Sequence, residues 1–138
     1  MRPRTREIVG TPVSITDYEG VLDAFDDAIA TREKIYVCCA PVHTLVTARD
    51  DAELRAALKG AAIVTPDGMP VVWLARALGE DIEDRVYGPD LMLAQCERAA
   101  AAGQRIWLYG GFDEAALAQL RANLADRFPK LKIVGSWS

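Results

Sequence analysis

Apolar runs of strand length alternate with helical patterns of hydrophobic residues along the chain. The run from Ile35 to Cys39 is continuous in apolar residues, which is typical of a central parallel strand covered on both faces. Val21, Leu22, Phe25 and Ile29 recur at steps of three and four residues, which predicts that they share one buried helix face. The alternation predicts a single α/β domain over residues 1–138, with a Rossmann-like, doubly wound, mainly parallel sheet of about six strands and helices on both faces.

Local end signals set the bounds of the predicted elements. Thr16 and Glu19 have the spacing of a capping box at a helix start, Gly60 and Gly79 suit helix ends, and Pro89 suits a first helical turn. The predicted strands are 7–9, 35–39, 61–65, 85–87, 105–109 and 131–134, and the predicted helices are 16–31, 44–59, 69–78, 89–103 and 113–127.

Composition and charge exclude several classes of protein. Apolar residues make up 51% and charged residues 26% of the 138, which is typical of a globular protein and not of a disordered or fibrous one. The net charge is -4, and the 16 basic residues are spread along the chain, so the electrostatic footprint of a nucleic-acid-binding surface is missing. We therefore expect no nucleic-acid partner.

Neither a targeting segment nor a disulfide framework is indicated. No apolar run approaches the roughly 20 residues that a spanning helix needs, and the start lacks the apolar stretch of a signal peptide. The three cysteines, Cys38, Cys39 and Cys96, are an odd number without metal-ligand spacing. A cytoplasmic protein with reduced thiols is the simplest interpretation.

Four loops should form one rim, because ligands of open parallel sheets bind beyond the carboxyl ends of the strands. Helix N-termini at such a rim offer free backbone N–H groups that suit a pyrophosphate. These loops are 40–43, 66–68, 88–90 and 110–113.

Asp67 and Arg85 are the charged candidates on this rim. Asp67 lies in a tight strand-to-helix turn, where its carboxylate could serve as a general base or as a helix N-cap, and position alone favours the cap. Arg85 could neutralise a phosphate or form an internal ion pair with Glu83 or Asp84. The residues alone leave both alternatives open.

The remaining candidates carry weaker signals. His43 is the only histidine and starts a predicted helix, where packing or capping is commoner than catalysis. Gly110 and Gly111 suit either a nucleotide contact or a tight turn, and neither a dinucleotide fingerprint nor a P-loop is present. No Asp-x-Asp pair occurs, so we expect no metal dependence.

Ordered blocks in the second half of the chain resemble the WecB/TagA/CpsF glycosyltransferase family. They are VTPDGMPVVW at 64–73, RVYGPDL at 85–91, YGG at 109–111 and RFPKLKIVG at 127–135, and the likeness covers most of the chain from about residue 35. The resemblance implies transfer of N-acetylmannosamine or a related sugar from a UDP donor to a polyprenyl-diphosphate-linked acceptor. The reaction would be inverting, without metal or other cofactor, at the cytoplasmic face of the membrane.

The same resemblance implies roles for individual residues. Asp67 becomes the candidate base that deprotonates the acceptor hydroxyl, and Arg85 a candidate phosphate-binding residue. The further candidates for substrate binding are His43, Gly68, Gly88, Asp90, Gly110 and Gly111.

Two departures from the family pattern favour an alternative function. The family's Thr-x-Asn site reads Ala40-Pro41-Val42-His43 here, without the hydroxyl and amide that the pattern expects beside the donor. The family's C-terminal appendage, which completes the pocket and docks on the membrane, has no counterpart. The alternative is a nucleotide-sugar-binding or assembly module that kept the fold and lost activity, and apolar surface exposed at the missing tail would favour a homo-oligomer.

Overall fold

The structure, a computed structural model, describes residues 2–138 and divides into two compact units, Met1–Leu91 and Met92–Ser138. The elements of the first unit are β1 (Thr5–Ile8), β2 (Thr11–Ser14), α1 (Tyr18–Thr31), β3 (Val37–Ala40), α2 (Val42–Asp50), α3 (Ala52–Gly60), β4 (Ile63–Pro66) and α4 (Met69–Ala77). The chain then enters α5 (Gly88–Ala102) and continues into β5 (Arg105–Tyr109), α6 (Glu114–Arg127) and β6 (Lys132–Trp137).

The strands among residues 2–138 pair two by two. β3 lies parallel to β4, with Val37 opposite Ile63 and Ala40 opposite Pro66, and β5 lies parallel to β6. β1 and β2 form an antiparallel hairpin instead. The α/β class and the parallel pairs agree with the sequence pattern, whereas one doubly wound sheet of six strands is not confirmed.

The hairpin replaces the single strand predicted at residues 7–9. Its two-residue turn places Val9 and Gly10 at φ of 52° and 81°, and such turns match the twist of the flanking strands. Pro12 lies within β2 opposite Glu7, in a position where proline usually argues against a strand. The sequence analysis therefore missed β2.

β2 packs beside β4 without forming a ladder with it. The backbone N–H of Val64 in β4 donates to Oγ of the buried Ser14, at 3.1 Å. A side chain thus satisfies a buried donor that a sheet would otherwise pair with a neighbouring carbonyl.

Two helix boundaries differ from the prediction because aspartates cap the helices. The N-cap of α1 is Asp17, not Thr16, and its Oδ1 accepts a hydrogen bond from the Gly20 N–H at 2.8 Å. The helix predicted over 44–59 is two helices, separated at Asp51. That residue is extended, and its carboxylate accepts from the Leu54 N–H at 2.9 Å, which starts α3.

The predicted strand at 85–87 is wrong, because these residues join no ladder. The segment is still extended along β4, where the Val86 N–H donates to the Pro66 carbonyl at 2.9 Å and Thr65 Oγ1 donates to the Val86 carbonyl at 3.2 Å. Only Val86 of this segment forms these hydrogen bonds with β4, and one residue is too short for a strand.

Each unit has its own apolar core. In the second unit, α5, α6 and one face of the β5–β6 pair enclose a smaller core, whereas the other face of that pair leaves Trp107 and Trp137 more than half exposed. Trp73 of α4 in the first unit is also 60% exposed. The core of the first unit comprises Ile8, Val13, Ala40, Leu45, Ala48, Leu58, Val64, Val71, Val72, Ala75 and Ile82.

Arg4, which precedes β1, and Arg6 within β1 pair with a nearly buried carboxylate that follows α4. The Glu80 side chain is only 8% exposed and is paired with Arg4, and the Arg6 guanidinium lies 3.8 Å from its other oxygen. The hydrogen bond from Arg4 is the main cause that lowers the pKa of Glu80 below its usual value of 4.5, with further attraction from Arg4 and Arg6.

This ion pair should make stability depend on acid pH. A pKa lowered by folding stabilises the folded state fully above the unfolded pKa, and that contribution is lost as the pH falls through the folded pKa. We expect Glu80→Gln to lower the free energy of unfolding at pH 7 and to differ little from wild type once Glu80 is protonated. Urea titrations of both proteins from pH 7 down to pH 3 test this, and a difference that stays constant over the range would contradict it.

Candidate functional site

The carboxyl end of the β3–β4 pair gathers two of the predicted rim segments. Ala40 and Pro66 are opposite each other at the ends of these parallel strands. Asp67 follows Pro66 directly, and the exposed His43 lies in the first turn of α2, three residues after Ala40. Asp67 and His43 therefore both lie at the carboxyl end of the β3–β4 pair.

Asp67 is not a helix cap. The N-cap of α4 is Gly68, at φ 100° and ψ 152°, and α4 has no side-chain cap. Asp67 is half-buried, and none of residues 2–138 holds its carboxylate by a hydrogen bond or an ion pair. The capping alternative is therefore wrong, and the carboxylate oxygens remain available to accept a proton.

The start of α5 lies against Asp67. A Cβ built on Gly88 would be 3.8 Å from Oδ2 of Asp67 and 3.5 Å from Sγ of Cys39, which are ordinary contact distances. The N-terminal end of α5 therefore lies close to the carboxylate and the thiol.

Cys39 is a neighbour of Asp67 that the sequence analysis did not connect to it. Burial is the main cause that raises the pKa of the Cys39 thiol, a hydrogen bond with Thr65 lowers that pKa in part, and the Asp67 carboxylate raises it further. Burial likewise raises the pKa of Cys38. Both groups are thiols at neutral pH, which disfavours them as nucleophiles.

Arg85 forms none of the predicted internal ion pairs. Within residues 2–138, neither Glu83 nor Asp84 pairs with its guanidinium, and Asp84 Oδ1 instead accepts from the backbone N–H of Arg85 at 2.7 Å. The guanidinium carbon lies 4.6 Å from the centroid of the Tyr87 ring, in a cation–π arrangement. The ion-pair alternative is wrong, and the guanidinium is available for an anion.

The chain segments that contain Asp67 and Arg85 are hydrogen-bonded to each other. A single hydrogen bond connects Val86 to the Pro66 carbonyl, and Arg85 precedes Val86 as Asp67 follows Pro66. Asp67 and Arg85 are thus each one residue away from the hydrogen bond between Val86 and Pro66.

A cleft of about 490 Å³ borders Arg85 on the side of α1. Tyr18 lines it, and its hydroxyl oxygen accepts from the Tyr87 N–H at 3.0 Å. Four carboxylates and one guanidinium line the cleft, so Arg85 is the one cationic group in a lining whose net charge is negative. The lining residues are Ile15, Thr16, Asp17, Tyr18, Asp81, Ile82, Glu83, Asp84 and Arg85.

Three further candidates lie in α5 and in the loop after β5. Asp90 is exposed in the first turn of α5. Gly110 and Gly111 belong to the second unit, at φ of 100° and 108° after β5, and the Gly110 N–H donates to the Trp137 carbonyl at 2.8 Å. Both glycines thus fit the tight-turn interpretation, because L side chains are strained at these angles.

The chain matches a known family over nearly its whole length. Residues 6–138 match the glycosyl transferase WecG/TagA/CpsF family. The chain belongs to this family. The blocks at 64–73 and 85–91 run here from β4 into α4 and from Arg85 into α5. The matched range includes both Asp67 and Arg85.

One curated relative is N-acetylglucosaminyldiphosphoundecaprenol N-acetyl-beta-D-mannosaminyltransferase from Bacillus spizizenii. It is 26% identical over 88 residues, which are 64% of this chain and 34% of the relative. The aligned part is thus about a third of that protein's length. No helix within residues 2–138 combines the length and the apolar character needed to cross a bilayer.

Proposed function

We propose that this chain belongs to a glycosyltransferase that moves N-acetylmannosamine or a related sugar from a UDP donor to a polyprenyl-diphosphate-linked acceptor in cell-surface polysaccharide synthesis. The family and the name of the relative support this class of reaction. The observation that carries the proposal is that the Asp67 carboxylate and the Arg85 guanidinium, neither of which has a hydrogen bond or ion pair within residues 2–138, belong to residues next to the Val86–Pro66 hydrogen bond. Work on a lipid-linked acceptor fits a peripheral protein at the cytoplasmic face of the membrane.

The proposed reaction is a single displacement. Asp67 takes the proton of the acceptor hydroxyl, and the oxygen attacks the anomeric carbon of the donor from the face opposite UDP. The bond from that carbon to the UDP oxygen breaks, UDP leaves with the electron pair, and the configuration inverts. The Arg85 guanidinium stabilises the charge that develops on the departing diphosphate.

The same proposal gives roles to the remaining candidates. Backbone N–H groups near Gly68 and Gly88 approach the donor closely because these residues lack side chains. His43 and Asp90 contact the sugar or the ribose, and Gly110 and Gly111 of the second unit remain candidates from the sequence pattern alone. The absence of an Asp-x-Asp pair from the sequence supports a reaction that needs no divalent metal.

Donor binding tests the proposal. Calorimetric titration of the chain with UDP and UDP-N-acetylmannosamine should show binding that Arg85→Ala weakens about tenfold, the effect of losing a charged hydrogen-bonding partner. The control is Arg49→Ala, which removes an exposed guanidinium at the end of α2 and should leave the Kd within about twofold. Absence of binding to both ligands, or equal loss in the two variants, would refute the proposal.

The end of β3 favours one alternative, a binding module without activity. Ala40 is fully buried, and Pro41 caps α2 without a side-chain bond, so no hydroxyl or amide follows the strand before His43. This alternative predicts UDP binding with no sugar transfer. Transfer that disappears in Asp67→Asn would eliminate it.

A further inference from the structure

Every backbone N–H of the segment 85–87 donates a hydrogen bond, although the segment belongs to no strand. Its three backbone N–H groups donate to three different partners: Arg85 to Asp84 Oδ1, Val86 to the Pro66 carbonyl and Tyr87 to the Tyr18 hydroxyl oxygen. The first partner is adjacent in the chain and the second belongs to β4. Only the third attaches the segment to α1, from 69 residues away.

Tyr18 is itself firmly placed. It is the first residue of α1, directly after Asp17, whose carboxylate accepts the Gly20 N–H at 2.8 Å. Gly20 has no side chain, and a Cβ there would collide with Oγ1 of Thr16, so the cap fits closely around the helix start. The phenol therefore extends from a fixed helix end.

A short physical path leads from Tyr18 to the Arg85 guanidinium. The Tyr18 hydroxyl oxygen accepts a hydrogen bond from the Tyr87 backbone N–H. The Arg85 guanidinium carbon lies 4.6 Å from the centroid of the Tyr87 ring. Tyr18 and Arg85 also line the same cleft. Movement of the Tyr87 backbone would move the ring on which the guanidinium rests.

We propose that Tyr18 is a positioning residue for Arg85, which it holds in the orientation that receives the diphosphate of the donor. The inference rests on the proposed function, since that function makes Arg85 the phosphate-binding group. A guanidinium binds phosphate best when its planar fork is already oriented, so loosening its support weakens binding without removing the charge. In this role Tyr18 acts on the donor through Tyr87 and Arg85.

Tyr18→Phe tests the inference by removing only the hydroxyl. We expect the Kd for UDP to rise about threefold to tenfold, as for loss of one ordinary hydrogen bond. In the Arg85→Ala background the same substitution should change the Kd by less than about twofold, because a residue acting through Arg85 has nothing left to position. Equal effects in both backgrounds, or no effect in the first, would overturn the inference.

The control is Tyr36→Phe. Tyr36 is an exposed tyrosine of the same unit whose hydroxyl donates to the Ala57 carbonyl at 2.6 Å. This variant loses an equivalent hydrogen bond away from Arg85 and should bind UDP as the wild type does. A similar loss of affinity in Tyr36→Phe would show a general effect on stability and overturn the inference.

A second measurement separates this inference from the proposed function. Nitrogen-15 relaxation of the Arg85 Nε–H group and hydrogen exchange of the Tyr87 amide need no ligand. Tyr18→Phe should increase the mobility of the first and the exchange rate of the second, whereas Tyr36→Phe should change neither. If the wild type fails to bind UDP, the proposed function fails, and unchanged relaxation in Tyr18→Phe would independently overturn the positioning role.

Discussion

Replacement of Asp67 by Asn should reduce sugar transfer by about 10²- to 10⁴-fold, the usual contribution of a general base, and leave the Kd for UDP near the wild-type value. Asparagine keeps the size of the side chain but cannot accept the proton of the acceptor hydroxyl. None of residues 2–138 shares the carboxylate by a hydrogen bond or ion pair, so its loss leaves no internal partner unsatisfied. UDP release in the presence of a polyprenyl-diphosphate-linked sugar measures the effect.

Asp50→Asn is the matched control for this experiment. Asp50 is an exposed carboxylate at the end of α2, and its substitution should change turnover by less than about twofold. Transfer by Asp67→Asn at the wild-type rate would show that another group accepts the proton, and the proposed mechanism would then be wrong.

Gly68→Ala should lower the free energy of unfolding by about 1–3 kcal/mol, the cost of forcing a side chain into a backbone conformation that essentially only glycine adopts. Gly68 has φ 100° and ψ 152° and connects Asp67 to α4. A Cβ there would meet only Pro70, at 3.8 Å, so backbone strain and not collision causes the loss. Urea unfolding measures the change.

Gly88→Ala is the control for Gly68→Ala, because it adds the same methyl group at a residue without a positive φ. Gly88 is the first residue of α5 and does not have a positive φ, and an added Cβ would make ordinary contacts with Cys39 and Asp67. Its stability should therefore stay within about 0.5 kcal/mol of wild type. Equal destabilisation of the two variants would mean that crowding at the rim, and not the φ angle of Gly68, sets the cost.

Much of the local structure could be predicted because local signals decide it. β5 has the predicted bounds, and Asp113 caps α6 at the predicted start. The elements that were missed depend on backbone conformations that are unusual for their residue types or sequence patterns. Val9 adopts a positive φ in the hairpin turn, and Asp51 interrupts an otherwise continuous helical pattern because its carboxylate starts a new helix.

The site was predictable only in part, for a similar reason. Asp67 and Arg85 stood out because strand ends and turn residues surround them in the sequence. The choice between cap and free carboxylate, or between ion pair and free guanidinium, depends on side-chain rotamers that spacing does not encode. Tyr18 could not be found from its neighbours, since its partner Tyr87 is 69 residues away.

The exposure of the tryptophans determines which spectroscopic signal can follow unfolding. Trp73, Trp107 and Trp137 are all more than half exposed, so the indole rings already meet water in the folded chain. Their emission should change little when the cores melt, and far-ultraviolet circular dichroism is the better signal for unfolding. The same indoles lie within reach of quenchers and partners in solution, which makes intrinsic fluorescence a reporter of events at the surface.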